Sequence, residues 1–292
     1  MDPQELMLYP HRVPRDANAI SMSIDTDDFR YPSHRHGKAE LVFVAGGVLT
    51  CEVGRDLWIV PPGCGLWIPC DLEHSARGEG AIEVCVLFVE PELLPQLPKT
   101  ACTMSVSPLL RELVLAASRL PPLYLRGGAE ERLIRTTLDQ LAVAPVEDLR
   151  VPMPQDARLR HIAKELLDDP AERRTIGQWA RTVAMSERSL FRLVQSETGM
   201  SFGRWRQQIQ LMLALQWLSQ GMSVQSVASD LGYETASAFI AMFRGVLGQP
   251  PGQFFAERTK AQAHSRSAGD ASLTVTQTQP RRPSAVVESL RC

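Results

Sequence analysis

The 292-residue sequence predicts a two-domain α+β chain, an N-terminal β-barrel with appended helices followed by an all-α C-terminal domain. Three observations carry that prediction. Between Met22 and Val89, short β-branched and apolar runs alternate with glycine and proline breaks, the rhythm of an all-β sandwich or barrel. After Pro98 the apolar residues recur at three and four, the spacing of a helix face. From Thr175 to Phe255 one helix-turn-helix pattern is written twice. The boundaries that follow are 1–98 for the barrel, 99–144 for a helical pair, 145–157 for a linker, 158–259 for the double helix-turn-helix and 260–292 for a disordered tail.

Each half is long enough to bury a core. No run approaches twenty consecutive apolar residues, so no membrane span is expected. The acidic first thirty residues (Asp2, Glu5, Asp16, Asp25, Asp27, Asp28) do not read as a cleaved signal peptide. Six scattered cysteines read as reduced thiols, and the expected location is cytoplasmic. The formal charge of −2 hides an asymmetry. Residues 1–154 hold 14 Lys and Arg against 21 Asp and Glu, whereas residues 155–260 hold 13 against 10. A surplus this small calls for a localised basic face, drawn from Arg173, Arg174, Arg181, Arg204, Arg206 and Arg244.

In the barrel, Leu41 to Ala45, Val48 to Val53, Leu57 to Val60, Leu66 to Ile68 and Ile82 to Val89 read as strands. Gly46-Gly47, Gly54, Pro61-Pro62-Gly63 and Gly78 to Gly80 read as the breaks between them. His34 and His36, two apart, read as one strand with both rings on the same side, followed by Glu40 and later His74. Imidazoles and a carboxylate, three or four to a site, are ligands for a divalent transition metal. The spacing resembles the two motifs of the cupin fold: His34-x-His36-x₃-Glu40-x₆-Gly47, then Gly63-x₅-Pro69 with His74. Asp28, Asp71 and Gly78 depart from it where the motifs have glycine, glycine and asparagine. The resemblance implies a cupin-like barrel over about residues 20–95, with an effector pocket at its mouth formed by His34, His36, Glu40 and His74, while Trp67 reads from its residue type as core or as a wall of that effector pocket. The histidines then have three open uses: a metal site, hydrogen bonds to an organic effector, or holding the barrel mouth together. No cofactor is required, and a divalent transition metal is the one the pocket would take. Cys64 and Cys70 nearby read as thiol ligands, redox groups or, more commonly, small buried hydrophobes.

Leu109, Leu110, Leu113, Val114 and Ala117 share one helical face, and Leu133, Ile134, Leu138 and Leu141 share another between Ala129 and Val143. Covering the barrel and pairing two copies of the chain are equally open roles for these helices. The prolines at 145, 152 and 154 mark the linker.

In the repeat, Ile176, Trp179, Ala180 and Val183 match Val224, Val227, Ala228 and Leu231, and Leu190, Leu193, Val194 and Gly199 match Phe239, Met242, Phe243 and Gly248. The first four pairs are 48 residues apart and the last four 49, so the second turn is one residue longer. Ser186 is placed to cap the first recognition helix, and Gly199 and Gly248 to end the two. Opposite the apolar stripe of the first recognition helix stand Arg188, Arg192 and Gln195 with Glu187 at its start. Arginine donates two parallel bonds to guanine, and glutamine pairs likewise with adenine. The second copy offers Ala236, Ser237, Ala241 and Arg244, which suit phosphate, methyl and close-fit contacts better than bidentate reading. Phe202 to Ser219 reads as a spacer helix of roughly 25 Å. Such a spacer suits two recognition helices entering successive major grooves about 34 Å apart.

Residues from about Arg158 to Glu257 resemble the DNA-binding domain of the AraC/XylS transcriptional regulators. The resemblance is carried by Ala180, Val183, Ser186, Arg188, Leu190, Arg192, Glu197-Thr198-Gly199, Phe202, Ala228, Gly232-Tyr233, Ser237, Phe239, Phe243-Arg244, Gly248 and Pro250-Pro251. Ala241 departs from it, since the family often has a polar or basic residue there. What the resemblance implies is a sequence-specific regulator of transcription, commonly an activator, controlled by a small molecule or metal in the barrel. Its partners would be double-stranded promoter DNA, RNA polymerase if it activates, the effector, and a second copy of the chain if the helical pair dimerises, with no membrane partner. The alternative is a metal-dependent cupin enzyme carrying a DNA-binding domain.

Overall fold

A computed structural model describes residues 13–256, other than 94 and 148, together with residues 273–276. Up to residue 256 the described residues form two compact units, the first of residues 13–54 and 58–149 and the second of residues 55–57 and 150–256.

The first unit is an antiparallel barrel of β1 (Ala17–His34), β2 (Ala39–Gly46), β3 (Leu49–Val53), β4 (Asp56–Val60), β5 (Cys64–Ile68), β6 (His74–Val89), β7 (Cys102–Ser105) and β8 (Val146–Glu147). Its strand order is β8-β7-β5-β2-β6-β3-β4, with β1 pairing β6. The spine is β6, which pairs β1 along its whole length, from Ala17↔Val89 to His34↔His74. The break expected at Gly78 to Gly80 is absent, because β1 supplies ladder partners there and a bulge between Thr26 and Phe29 absorbs the irregularity. A Cβ at Gly78 would displace the Ile82 side-chain tip, 2.3 Å away at Cδ1, and crowd Val48 O at 3.1 Å.

All eight residues of β2 are buried, because the strand faces the barrel interior on one side and helices on the other. Those helices are α1 (Pro108–Ala117) and α2 (Ala129–Ala142). Leu110, Val114, Ile134 and Leu138 join Leu41, Phe43 and Leu87 in one core on the outer face of the sheet. The helical pair therefore covers the barrel.

The second unit begins earlier than the expected boundary, with β9 (Arg150–Pro152) and then α3 (Ala157–Asp168). The stretch read as a linker is held at both ends. Val146 pairs with Met104 in the first unit, and Trp205 Nε1 donates to Pro152 O at 3.0 Å in the second. The repeat follows as α4 (Ile176–Thr182), α5 (Glu187–Thr198), α6 (Phe202–Ser219), α7 (Val224–Asp230) and α8 (Ala236–Leu247). Helices α4 and α7 each have 7 residues, α5 and α8 each have 12, and the second turn is longer by one residue, as the offsets require. Each is started by a hydroxyl cap: Thr175, Ser186, Ser223 and Thr235. Gly199 and Gly248 end α5 and α8 in the left-handed region.

The expected disordered tail falls outside the described residues except for β10 (Leu273–Thr276). Those four residues pair in parallel with Met22–Asp25 of β1, so for them the expectation is corrected. Among the described residues no helix is long and apolar enough to cross a membrane.

Candidate functional site

The site in the second unit is a helix face. On α5, Leu190 and Val194 are 0% exposed and form the inner stripe, which turns Arg188, Arg192 and Gln195 outward into solvent. Glu197, on the inner side, does structural work: its Oε2 accepts from the backbone N–H of Gln155 at 2.6 Å and of Asp156 at 3.4 Å, ahead of α3. Glu187 is exposed but leans back over α4, where a Cβ on Gly177 would meet its Oε2 at 2.7 Å. A carboxylate there complements the positive end of α4. On α8, Ser237, Ala241 and Arg244 are exposed and Ala236 is half-buried in the first turn, with Phe239 and Phe243 at 0% exposure behind them.

The basic face is narrower than the sequence suggested. Arg174 is spoken for: its guanidinium lies 3.6 Å from the Trp179 ring centroid and is ion-paired to Glu172 at 2.7 Å and to Glu165. Arg173 pairs with Glu234 at 3.3 Å, and Arg206 lies over the Phe202 ring and donates to Arg174 O. Arg181, Arg188, Arg192, Arg204 and Arg244 are exposed.

In the first unit, the four barrel residues do converge, though not as one strand would place them. His34 ends β1, His36 lies in the connection to β2, and His74 opens β6 opposite His34. The connection is pinned by Asp71 N–H to His36 O at 2.9 Å. Asp71, the residue standing for the motif's glycine, has φ +61°, a left-handed conformation that aspartate tolerates better than most residues. Ring centroids are 4.1 Å apart for His34–His74, 5.1 Å for His36–His74 and 5.6 Å for His34–His36. Glu40, on the inner face of β2, places Oε1 3.0 Å from His74 Nε2 and Oε2 3.3 Å from His36 Nε2.

Each imidazole has its Nδ1 beside a backbone carbonyl: Pro32 at 3.0 Å for His34, Lys38 at 2.7 Å for His36, and Leu72 at 2.8 Å for His74. A proton on Nδ1 leaves Nε2 as the electron-pair donor, the tautomer that metal-ligating histidines adopt through such outer partners. The donor atoms of the three histidines lie within 4.8 Å of one another. Ligands bonded at about 2.1 Å to one ion stand roughly 3.0–3.4 Å apart in octahedral or tetrahedral geometry, which is the spacing around Glu40. His74 Nε2 is buried and lies 3.0 Å from Glu40 Oε1. The residues thus fit a divalent ion. Cys64 and Cys70 lie outside this cluster.

Electrostatics bind the group together. Burial acts to raise Glu40, but His36 and His74 outweigh it and bring the carboxyl down to about 2. Burial acts to lower His74, yet the Glu40 carboxylate leaves it raised, whereas burial and the neighbouring His74 lower His34. Trp67 is a correction. It pairs with Leu41, one residue from the Glu40↔Ile68 pair, so it faces the helices and not the interior. Its indole N–H donates to Pro98 O at 2.9 Å within the core under α1 and α2.

Phe191, 50% exposed on α5, is not among the residues expected at this site. Its displacement from the Leu190–Val194 stripe was the available signal.

The chain matches an AraC-like ligand binding domain over residues 22–169 and a helix-turn-helix domain over residues 179–257. It is 40% identical over 256 residues to the HTH-type transcriptional regulator NimR of Escherichia coli K12, covering 88% of this chain and 93% of that protein. It is 30% identical over 118 residues to the HTH-type transcriptional regulator RipA of Corynebacterium glutamicum, covering 40% of this chain and 34% of that one. Among solved structures, unsaturated fatty acid bound ToxT from Vibrio cholerae aligns at 12% identity and a TM-score of 0.34, over 82% of this chain and 93% of its own. With a ligand-binding barrel, a DNA-binding helix-turn-helix domain and a relative matched over nearly its whole length, the chain belongs to the AraC family of transcriptional regulators.

Proposed function

We propose that the chain is a sequence-specific regulator of promoter DNA, acting as an activator rather than as an enzyme, whose activity on that DNA is controlled by a small molecule or divalent metal at His34, His36, Glu40 and His74. The observation that carries sequence-specific binding is the outward face of Arg188, Arg192 and Gln195 on a helix whose other side is fully packed. Control from the barrel is supported by four ligand-type side chains meeting where β1, β2 and β6 come together. When bound, a divalent ion would supply a cross-link between these strands. The histidines would offer it Nε2 lone pairs, and Glu40, held down to about 2, would offer a negative charge at neutral pH. An effector changes activity only by the difference in its affinity for the two functional states. RNA polymerase is the partner that activation requires, and exposed Leu109, Leu123 and Leu125 beside the helical pair support a second copy of the chain as another.

Calorimetric titration with Zn²⁺ tests the barrel site. Affinity is expected to fall as pH drops from about 8 to about 5, because each imidazole must shed its proton to ligate. The raised His74 makes its proton compete to higher pH than an ordinary histidine would, and Glu40 stays charged throughout. His74→Ala should bind weakly at every pH. Binding that is independent of pH, or equal in His74→Ala, would remove the site. Turnover of a small substrate, lost in His74→Ala, would instead favour a metal-dependent cupin enzyme.

A further inference from the structure

Phe191 stands half in solvent on α5. Its neighbours Leu190 and Val194 are 0% exposed, and they complete the buried stripe of α5 without it. Among the described residues of the second unit, Phe191 is the large aromatic left in solvent, at 50% exposure. It stands three residues after Arg188 and four before Gln195, one helical turn from each, so the three side chains share a flank of α5. On its other side it lines a shallow apolar groove with Ile176 and Phe202.

A benzyl side chain donates and accepts no hydrogen bond, so it cannot read the polar pattern of a base edge. In the major groove one base presents an apolar group, the C5-methyl of thymine, and phenylalanine is among the residues that contact it. We infer that Phe191 is a specificity-determining residue that packs on a thymine methyl next to the bases read by Arg188 and Gln195. The assignment rests on α5 being the base-reading helix. It divides the labour on α5 between polar side chains that select by hydrogen bonds and one hydrocarbon that selects by a methyl group.

The test uses a duplex enriched by the full chain from a randomised pool, in which each thymine is replaced in turn by deoxyuridine, removing the methyl and nothing else. Wild type is expected to lose about fourfold in affinity at one position, the fold-change equivalent to about 0.8 kcal/mol for one buried carbon group. Phe191→Ala should bind the thymine duplex more weakly and lose nothing further with uracil at that position, closing a double-mutant cycle. Its thermal melt should fall only slightly, since half of the ring is in solvent. If wild type and Phe191→Ala respond alike to uracil at every position, the assignment is wrong while the regulator reading stands. If no sequence is enriched at all, the reading of α5 fails and takes this assignment with it.

Discussion

Arg192→Ala is expected to bind the operator about 5- to 150-fold more weakly, the 1–3 kcal/mol that a bidentate pair is worth against a wrong base. The side chain stands exposed in the middle of α5, on a helix fixed by the Ser186 cap, the Gly199 stop and the buried Leu190 and Val194. Its fork is thus presented from a rigid base, and little is gained elsewhere when it is lost. Arg192→Lys keeps the charge but not the planar fork, so it should recover non-specific binding and only part of the discrimination. Fluorescence anisotropy on operator and scrambled duplexes separates these terms. An equal loss on both would make Arg192 a phosphate contact and move base reading elsewhere.

The largest effect on stability is expected at Trp179. The ring is 0% exposed in a helix of only 7 residues, which cannot persist without tertiary packing. Arg174 covers one face of the ring, and Glu165 and Glu172 hold that guanidinium in place. Trp179→Ala should cost the second unit about 3–5 kcal/mol, typical of a buried aromatic cut to alanine. Urea denaturation followed by far-UV circular dichroism would show it as an earlier transition for the helical unit. Arg174→Ala should cost less, since it removes the cover and leaves the core filled. Equal costs would mean that the ion-paired arginine, and not the ring, holds α4.

The helical half was the more legible from sequence because its signals are local. Hydroxyl caps, glycine stops and a three-four apolar period placed α4 to α8 and the longer second turn, since each depends on residues within a turn or two. The barrel depends on register, which sequence does not carry. Asp25, Thr26 and Asp28 hid the 18-residue β1, because much of its length is stabilised by pairing with β6 and not by its own composition. The side to which Trp67 points follows from its pairing with Leu41, so spacing alone could not keep it out of the pocket. For the candidate site, His34, His36, Glu40 and His74 were found by residue type and order, yet the turn that brings His36 to the others rests on its bond to Asp71. Arg174 looked like a phosphate ligand because nothing in its neighbourhood along the chain reveals that Glu165 and Trp179 will meet it.

Footprinting on the DNA upstream of the chain's own gene is the most direct test of a division between a reading half and a sensing half. Wild type is expected to protect one or two adjacent helical turns, Arg192→Ala to lose that protection and His74→Ala to keep it. Absence of a discrete footprint for wild type, with or without divalent metal, or its loss in His74→Ala alone, would contradict that division.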